Sequence, residues 1–167
     1  MRLQNKVAVI TGGSRGIGYA TADAFLREGA TVIIAASTKA SADKAVASLK
    51  EKYPNSRIGG ISPDLSKLED VRSIFKTVAA TYGCIDILVN NAGVSESTPF
   101  MEYTEETFDK VMDLNVKGVF NASRAVVDAM TEQGSVVILS TSSMVSKYGQ
   151  PAGFPYPASK FAVNGMT

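Results

Sequence analysis

The chain has 167 residues, 17 basic against 16 acidic side chains, no histidine and a single cysteine, Cys84. Without histidine there is no Ser-His-Asp triad, Cys-His dyad or imidazole metal ligand, and one cysteine makes neither a thiolate zinc cluster nor an internal disulfide. The even charge balance gives no polyelectrolyte signal for nucleic acid or an anionic membrane, no segment approaches a membrane span in length, and the first six residues lack the apolar centre of a signal peptide, so a cytoplasmic protein is expected.

Short β-branched runs alternate with longer helical patterns. Val7-Ala-Val-Ile10 is apolar on both faces, as a central parallel strand requires, and residues 16–28 follow with helical spacing of Ala20, Ala24 and Phe25. A strand is predicted over 31–35, a helix over 41–53, a strand over 57–61, a helix over 66–82 and a strand over 85–89, with Cys84 a small apolar residue at the preceding junction. A long helical region over 105–130 and a strand over 135–139 come next, and Tyr156 to Lys160 begin a last helix. Repeated strand-helix units imply right-handed crossovers, so the expected fold is α/β: a Rossmann-like, doubly wound parallel sheet in three αβα layers. No linker or repeat divides it, and residues 1–167 read as one domain.

Two segments carry chemistry. Thr11-Gly-Gly-Ser-Arg-Gly-Ile-Gly18 lies at the first strand-to-helix turn, where a dinucleotide pyrophosphate meets free backbone N–H groups and the positive end of a helix. Gly12 permits the tight turn, Gly16 lets the backbone approach phosphate, and Gly18 lets helix and strand pack closely. Near the other end, Tyr156 and Lys160 stand four residues apart and project from one helix face. A neighbouring ammonium favours the phenolate, so this spacing suits a tyrosine that gives and takes a proton near neutral pH.

These pieces, with Asp64-Leu65, Asn90-Asn-Ala-Gly93, Asn115 within Leu114-Asn-Val-Lys-Gly118, and Ser143 thirteen residues before Tyr156, resemble the short-chain dehydrogenase/reductase family in content and order across essentially the whole chain. The resemblance implies an oxidoreductase in which Tyr156 exchanges a proton with the substrate oxygen while a nicotinamide cofactor exchanges hydride with the carbon. It implies that Ser143 hydrogen-bonds that oxygen, that Lys160 binds the cofactor ribose and tunes the phenol, and that Asn115 helps to hold Lys160 and an ordered water. Structural alternatives stand beside each: Asn115 as a helix-interior polar group, Ser143 as a turn residue with Ser142 its nearest rival. Cofactor contacts are expected from Gly12, Ser14, Arg15, Gly16, Ile17, Gly18, Ser37, Asp64, Leu65, Asn91, Ala92, Gly93, Tyr156 and Lys160. Asp64 also suits a turn or helix start.

The end of the second strand offers Ala36 and Ser37 where users of NAD place a carboxylate, and Arg15 stands where family members often reach a 2′-phosphate, so NADP is expected, with NAD the alternative. Ser95, Met144, Gln150 and Phe154 are candidates for the substrate pocket, Met144 and Phe154 equally for core packing. The motif set is most similar to 3-oxoacyl-[acyl-carrier-protein] reductases, followed by hydroxysteroid and sugar or polyol dehydrogenases; a cofactor-binding fragment without turnover is the alternative of another class. Family members continue through further strands after the Tyr156 helix, so a truncated chain lacking the last strands is expected, with the fifth strand at a sheet edge and a homo-oligomer, dimer or tetramer, in the longer form.

Overall fold

The computed structural model describes residues 1–167. Five strands, β1 (Val7–Thr11), β2 (Thr31–Ala35), β3 (Ile58–Ile61), β4 (Ile87–Asn90) and β5 (Ile138–Ser140), form one sheet in the order β3-β2-β1-β4-β5, and every neighbouring pair is parallel. Helices α1 (Gly16–Arg27), α2 (Lys39–Lys52), α3 (Leu68–Tyr82), α4 (Glu105–Met112), α5 (Gly118–Glu132), α6 (Val145–Tyr148) and α7 (Pro155–Met166) complete the expected α/β architecture.

Side chains that alternate along the strands supply two cores. Ala8, Ile10, Val32 and Ile34 pack with Ala22 and Leu26 of α1 and Ala45 and Leu49 of α2. Val7, Val9, Ile33 and Leu88 pack on the other side with Val71, Phe75 and Val78 of α3 and Ala122, Val126 and Met130 of α5. Burial on both sides is why β1 reads as an uninterrupted apolar run. Truncating a fully buried leucine such as Leu49 costs about 2–5 kcal/mol in sites of this kind.

Element boundaries differ from the sequence expectation for identifiable reasons. The third helix starts at Leu68, not residue 66, because Asp64 Oδ1 accepts from both the N–H and the hydroxyl of Ser66 and makes a turn there. The fourth strand starts at Ile87 because Asp86 is pulled aside: its Oδ2 accepts from Val7 N–H at 2.8 Å and its Oδ1 pairs with Lys6 at 2.9 Å. The long region after residue 105 is two α-helices joined by a π-helical segment, Asp113–Lys117, with Asn115 at its centre. The fifth strand is short and displaced to Ile138–Ser140; it lies at the sheet edge, with Val136, Val137 and Leu139 exposed. The α6 turn and a 3₁₀ turn at Phe100–Glu102 were not visible in the periodicity.

Candidate active site

The carboxyl ends of β1, β2 and β4 open into a cleft of about 850 Å³. Gly12, Ser14, Arg15, Gly16, Ile17, Ser37, Asp64, Leu65, Asn91, Ala92 and Gly93 all line it, so eleven positions scattered between residues 12 and 93 meet in one place. Leu114, next to Asn115, lines it too, as do Ser41, Ser62, Pro63 and Val94, which carried no signal in the sequence.

Gly18 lies beneath the cleft, not in its wall. A Cβ there would run into the Gly12 carbonyl and reach 2.6 Å from Asn91 Nδ2, while a Cβ on Gly12, whose φ is +63°, would stand 2.9 Å from Ala92 Cα. These glycines bring the β1-α1 turn against the segment after β4. Asn91 seals the junction by donating to the carbonyls of Thr11 and Gly12, both at 3.2 Å. Gly16 is different: at φ +55° nothing lies within 4 Å of where its Cβ would point, so that surface is left open.

The helix starting there fits an anion. The first turn of any α-helix leaves its N–H groups without intrahelical partners. Thr38 caps α2, Thr104 caps α4, and α3 has Glu69 and Asp70 in its first turn, whereas α1, like α5 and α7, has neither a side-chain cap nor an acidic residue there. The positive end of α1 thus faces the cleft without an internal counter-charge. Asp64 is the one carboxylate in the cleft wall. Hydrogen bonds from the Ser66 side chain and then from Lys67, 3.0 Å away, hold its carboxyl below the usual range. Arg15 forms no ion pair, whereas Lys39 is paired with Asp43. The donor-rich, nearly acid-free wall suits a polyphosphate-bearing ligand.

Behind Gly93 of this wall, Asn115, Thr141, Ser159 and Lys160 interlock. Asn115 is fully buried; its Oδ1 accepts from Val94 N–H and its Nδ2 donates to the Val94 carbonyl, both at 2.9 Å, and to Ser159 Oγ at 3.0 Å. Ser159 donates in turn to the Tyr156 carbonyl at 2.7 Å. The carboxamide therefore ties the segment after β4 to α7. Its side chain does not itself hold the Lys160 ammonium, which donates to the Thr141 carbonyl at 2.7 Å. Burial alone pushes the Lys160 pKa below the ordinary lysine value. Its Nζ stands 5.8 Å from the centroid of the Tyr156 ring, so the four-residue spacing does bring the pair together.

Tyr156 is half-buried in the wall of a second pocket of about 640 Å³, shared with Ser95, Glu96, Ser97, Gln150, Pro151 and Ala152, and no group of the chain hydrogen-bonds its hydroxyl. The two neighbouring serines now separate. The single Ser142 hydroxyl proton is shared between Ser146 Oγ at 3.2 Å and the Lys160 carbonyl at 3.4 Å, whereas Ser143 Oγ only accepts, from Val145 N–H at 3.4 Å, and keeps its proton available. Of the suggested substrate-side residues, Ser95 and Gln150 line the second pocket. Met144 and Phe154 do not belong to the core; both are exposed, and Phe154 meets Phe100 edge-on at 5.5 Å and stacks on Phe108 at 6.4 Å. Glu96, Thr141 and Ser159 escaped the sequence reading, since Thr141 acts through a backbone carbonyl and the other two are set apart only by contacts with distant segments.

The model of the short chain dehydrogenase family matches residues 6–167. A 3alpha-hydroxysteroid dehydrogenase of Mediterraneibacter gnavus is 52% identical over 167 residues, 100% of this chain and 67% of that protein. The 3-oxoacyl-[acyl-carrier-protein] reductase FabG of Thermotoga maritima is 39% identical, covering 100% of this chain and 67% of its own length. Among solved structures, NAD+-bound xylitol dehydrogenase superposes with a TM-score of 0.94 at 31% identity, covering 100% of this chain and 64% of that one, and levodione reductase with 0.94 at 31%, covering 99% and 65%. The chain thus spans about two thirds of the length of the proteins it matches, and it belongs to the short chain dehydrogenase family.

Proposed function

We propose that the protein interconverts a secondary alcohol and a ketone, with NADP(H) as cofactor and an extended apolar ketone of hydroxysteroid type as substrate. The observation that carries the reading is the Tyr156 hydroxyl, in a pocket wall with no hydrogen-bond partner from the chain and with the buried Lys160 ammonium 5.8 Å from its ring centroid. Tyr156 gives its proton to the carbonyl oxygen, or takes one from the alcohol. Ser143 donates a hydrogen bond to the same oxygen and holds it against the phenol as charge develops. Lys160, kept in place by the Thr141 carbonyl, supplies positive charge on the phenol's side of the cleft and, by the family resemblance, a hold on a ribose. The bound nicotinamide supplies the hydride chemistry. Asn115 and Ser159 position these groups.

NADP is favoured over NAD by a β2 terminus that leads into Ala36 and Ser37 without a carboxylate, and by an Arg15 that no acid neutralises. The bias toward a steroid-like substrate over an acyl thioester rests on two supports. One is the 52% identity to the hydroxysteroid enzyme against 39% to the acyl-carrier reductase. The other is the exposed Phe100, Met144, Tyr148 and Phe154, apolar side chains on the segments flanking the tyrosine pocket. No helix of the chain is long and apolar enough to cross a membrane.

The test is NADPH consumption with matched panels of 3-ketosteroids and 3-oxoacyl thioesters, run beside the Tyr156→Phe variant. Steroid turnover that drops by about 10²–10⁴-fold without the hydroxyl supports the reading. A higher kcat/KM for the thioesters would redirect it to acyl reduction, and equal rates in the two forms would remove Tyr156 from the chemistry.

A further inference from the structure

Ser95, Glu96, Ser97 and Gln150 bring polar groups to the lining of the pocket beside Tyr156, from two loops that are fastened together by the Gly153 N–H, which donates to the Thr98 carbonyl at 3.0 Å. Gly153 is held at φ +71° against the Glu96 carbonyl, where a side chain would collide with the backbone, so the two walls sit as close as the main chain allows. Within this wall Glu96 is unusual. Its Oε2 accepts from Thr98 N–H at 2.8 Å, but its Oε1 is shielded from solvent with no hydrogen-bond partner. No lysine or arginine lies within ion-pairing distance of it. Leaving a buried carboxylate oxygen without a donor is costly, and such groups in folded proteins normally find one in the protein or in what it binds. The terminal torsion of a glutamate is soft, so either oxygen can turn toward an incoming donor without moving the backbone.

We infer that Glu96 is a specificity-determining residue that accepts a hydrogen bond from a second hydroxyl of the substrate and rejects substrates presenting an anionic group at that point. The inference rests on the alcohol/ketone reading of the Tyr156 pocket and adds to it the chemistry of the substrate's other end: a hydroxylated ketone, apolar where it meets the aromatic rim and donor-bearing where it meets the 95–97 loop. A carboxylate brought beside Glu96 meets a like charge with no cation to offset it.

The experiment compares 3-ketosteroids carrying one additional ring hydroxyl at different positions, their deoxy parent, and an analogue with a carboxylate in place of the hydroxyl. Relative kcat/KM is measured with NADPH, and relative affinity for the NADPH-loaded protein by ligand-observed NMR. One hydroxylated isomer is expected to exceed the deoxy parent by about tenfold or more, the range of a hydrogen bond to a charged group, with the carboxylate analogue excluded. Glu96→Ala levels the ranking. Glu96→Gln keeps an acceptor for Thr98 N–H and for the substrate but loses the charge, so it retains part of the hydroxyl preference and admits the carboxylate analogue. The inference is overturned if no hydroxylated isomer outranks the parent, or if Glu96→Ala keeps the ranking, whether or not ketones are reduced. A Glu96-dependent ranking in binding with no reduction of any ketone upholds the assignment of Glu96 while removing the oxidoreductase reading of this chain.

Discussion

At the scale of single residues, the division of labour between neighbours that look alike in sequence is decided by where each proton points. Ser142 and Ser143 are both half-buried serines, yet only Ser143 has a hydroxyl proton not already given to the chain. Ser143→Ala is therefore expected to lower kcat by about 10²–10³-fold, the usual loss on removing one donor from a developing oxyanion, while Ser142→Ala leaves kcat within a few-fold; steady-state kinetics decide. Equal effects would return the two serines to equivalence. Arg15 and Lys39 separate by the same logic, because Lys39 is already paired with Asp43 and Arg15 is not. Arg15→Ala should weaken NADPH binding by about tenfold or more and NADH binding far less, whereas Lys39→Ala changes either little, as measured by calorimetric titration. An Arg15→Ala protein with unchanged NADPH affinity would count against the 2′-phosphate role.

At the scale of elements, a polar fastening joins the starts of β1 and β4 at the ends opposite the cleft. Asp86 is drawn two ways: burial alone would raise its pKa, but hydrogen bonds from Val7 N–H, Lys6 and the Cys84 thiol together outweigh it and leave the carboxyl below its ordinary value. The same contact, led by the hydrogen bond to Asp86, raises the Lys6 pKa. A carboxyl depressed in the folded state stabilises above its unfolded value of about 4 and loses that contribution as pH falls through the folded value. The lysine's share runs the other way, present below its unfolded value of about 10.4 and lost as pH rises through the raised folded one. The fastening is thus complete from mildly acidic to mildly alkaline pH and loses its carboxylate contribution on the acid side. Asp86→Asn should lower stability by about 1–3 kcal/mol at neutral pH and flatten the acid limb of the urea midpoint against pH. A variant whose acid limb matches the parent's would show that other carboxylates carry it.

At the scale of the whole molecule, five parallel strands in the order β3-β2-β1-β4-β5 carry helices on both faces, and the two cores meet through the shared strands. Much of this architecture was legible in the residues. The uniformly apolar β1 and β2 runs required a sheet covered on both faces, and the glycine spacing after β1 required a tight turn into a helix. The four-residue step from Tyr156 to Lys160 put both on one helix face, because that follows from local periodicity alone. What the tertiary structure decided were contacts between residues distant in sequence. Asn115 meets Val94 across 21 positions and Ser159 across 44, and Lys160 finds the Thr141 carbonyl across 19. Glu96, too, became distinctive only when the 149–154 loop closed over it and left one carboxylate oxygen without a donor. Backbone carbonyls look the same at every position of a sequence, and whether a polar atom is satisfied depends on what the rest of the chain brings to it, so neither is written locally.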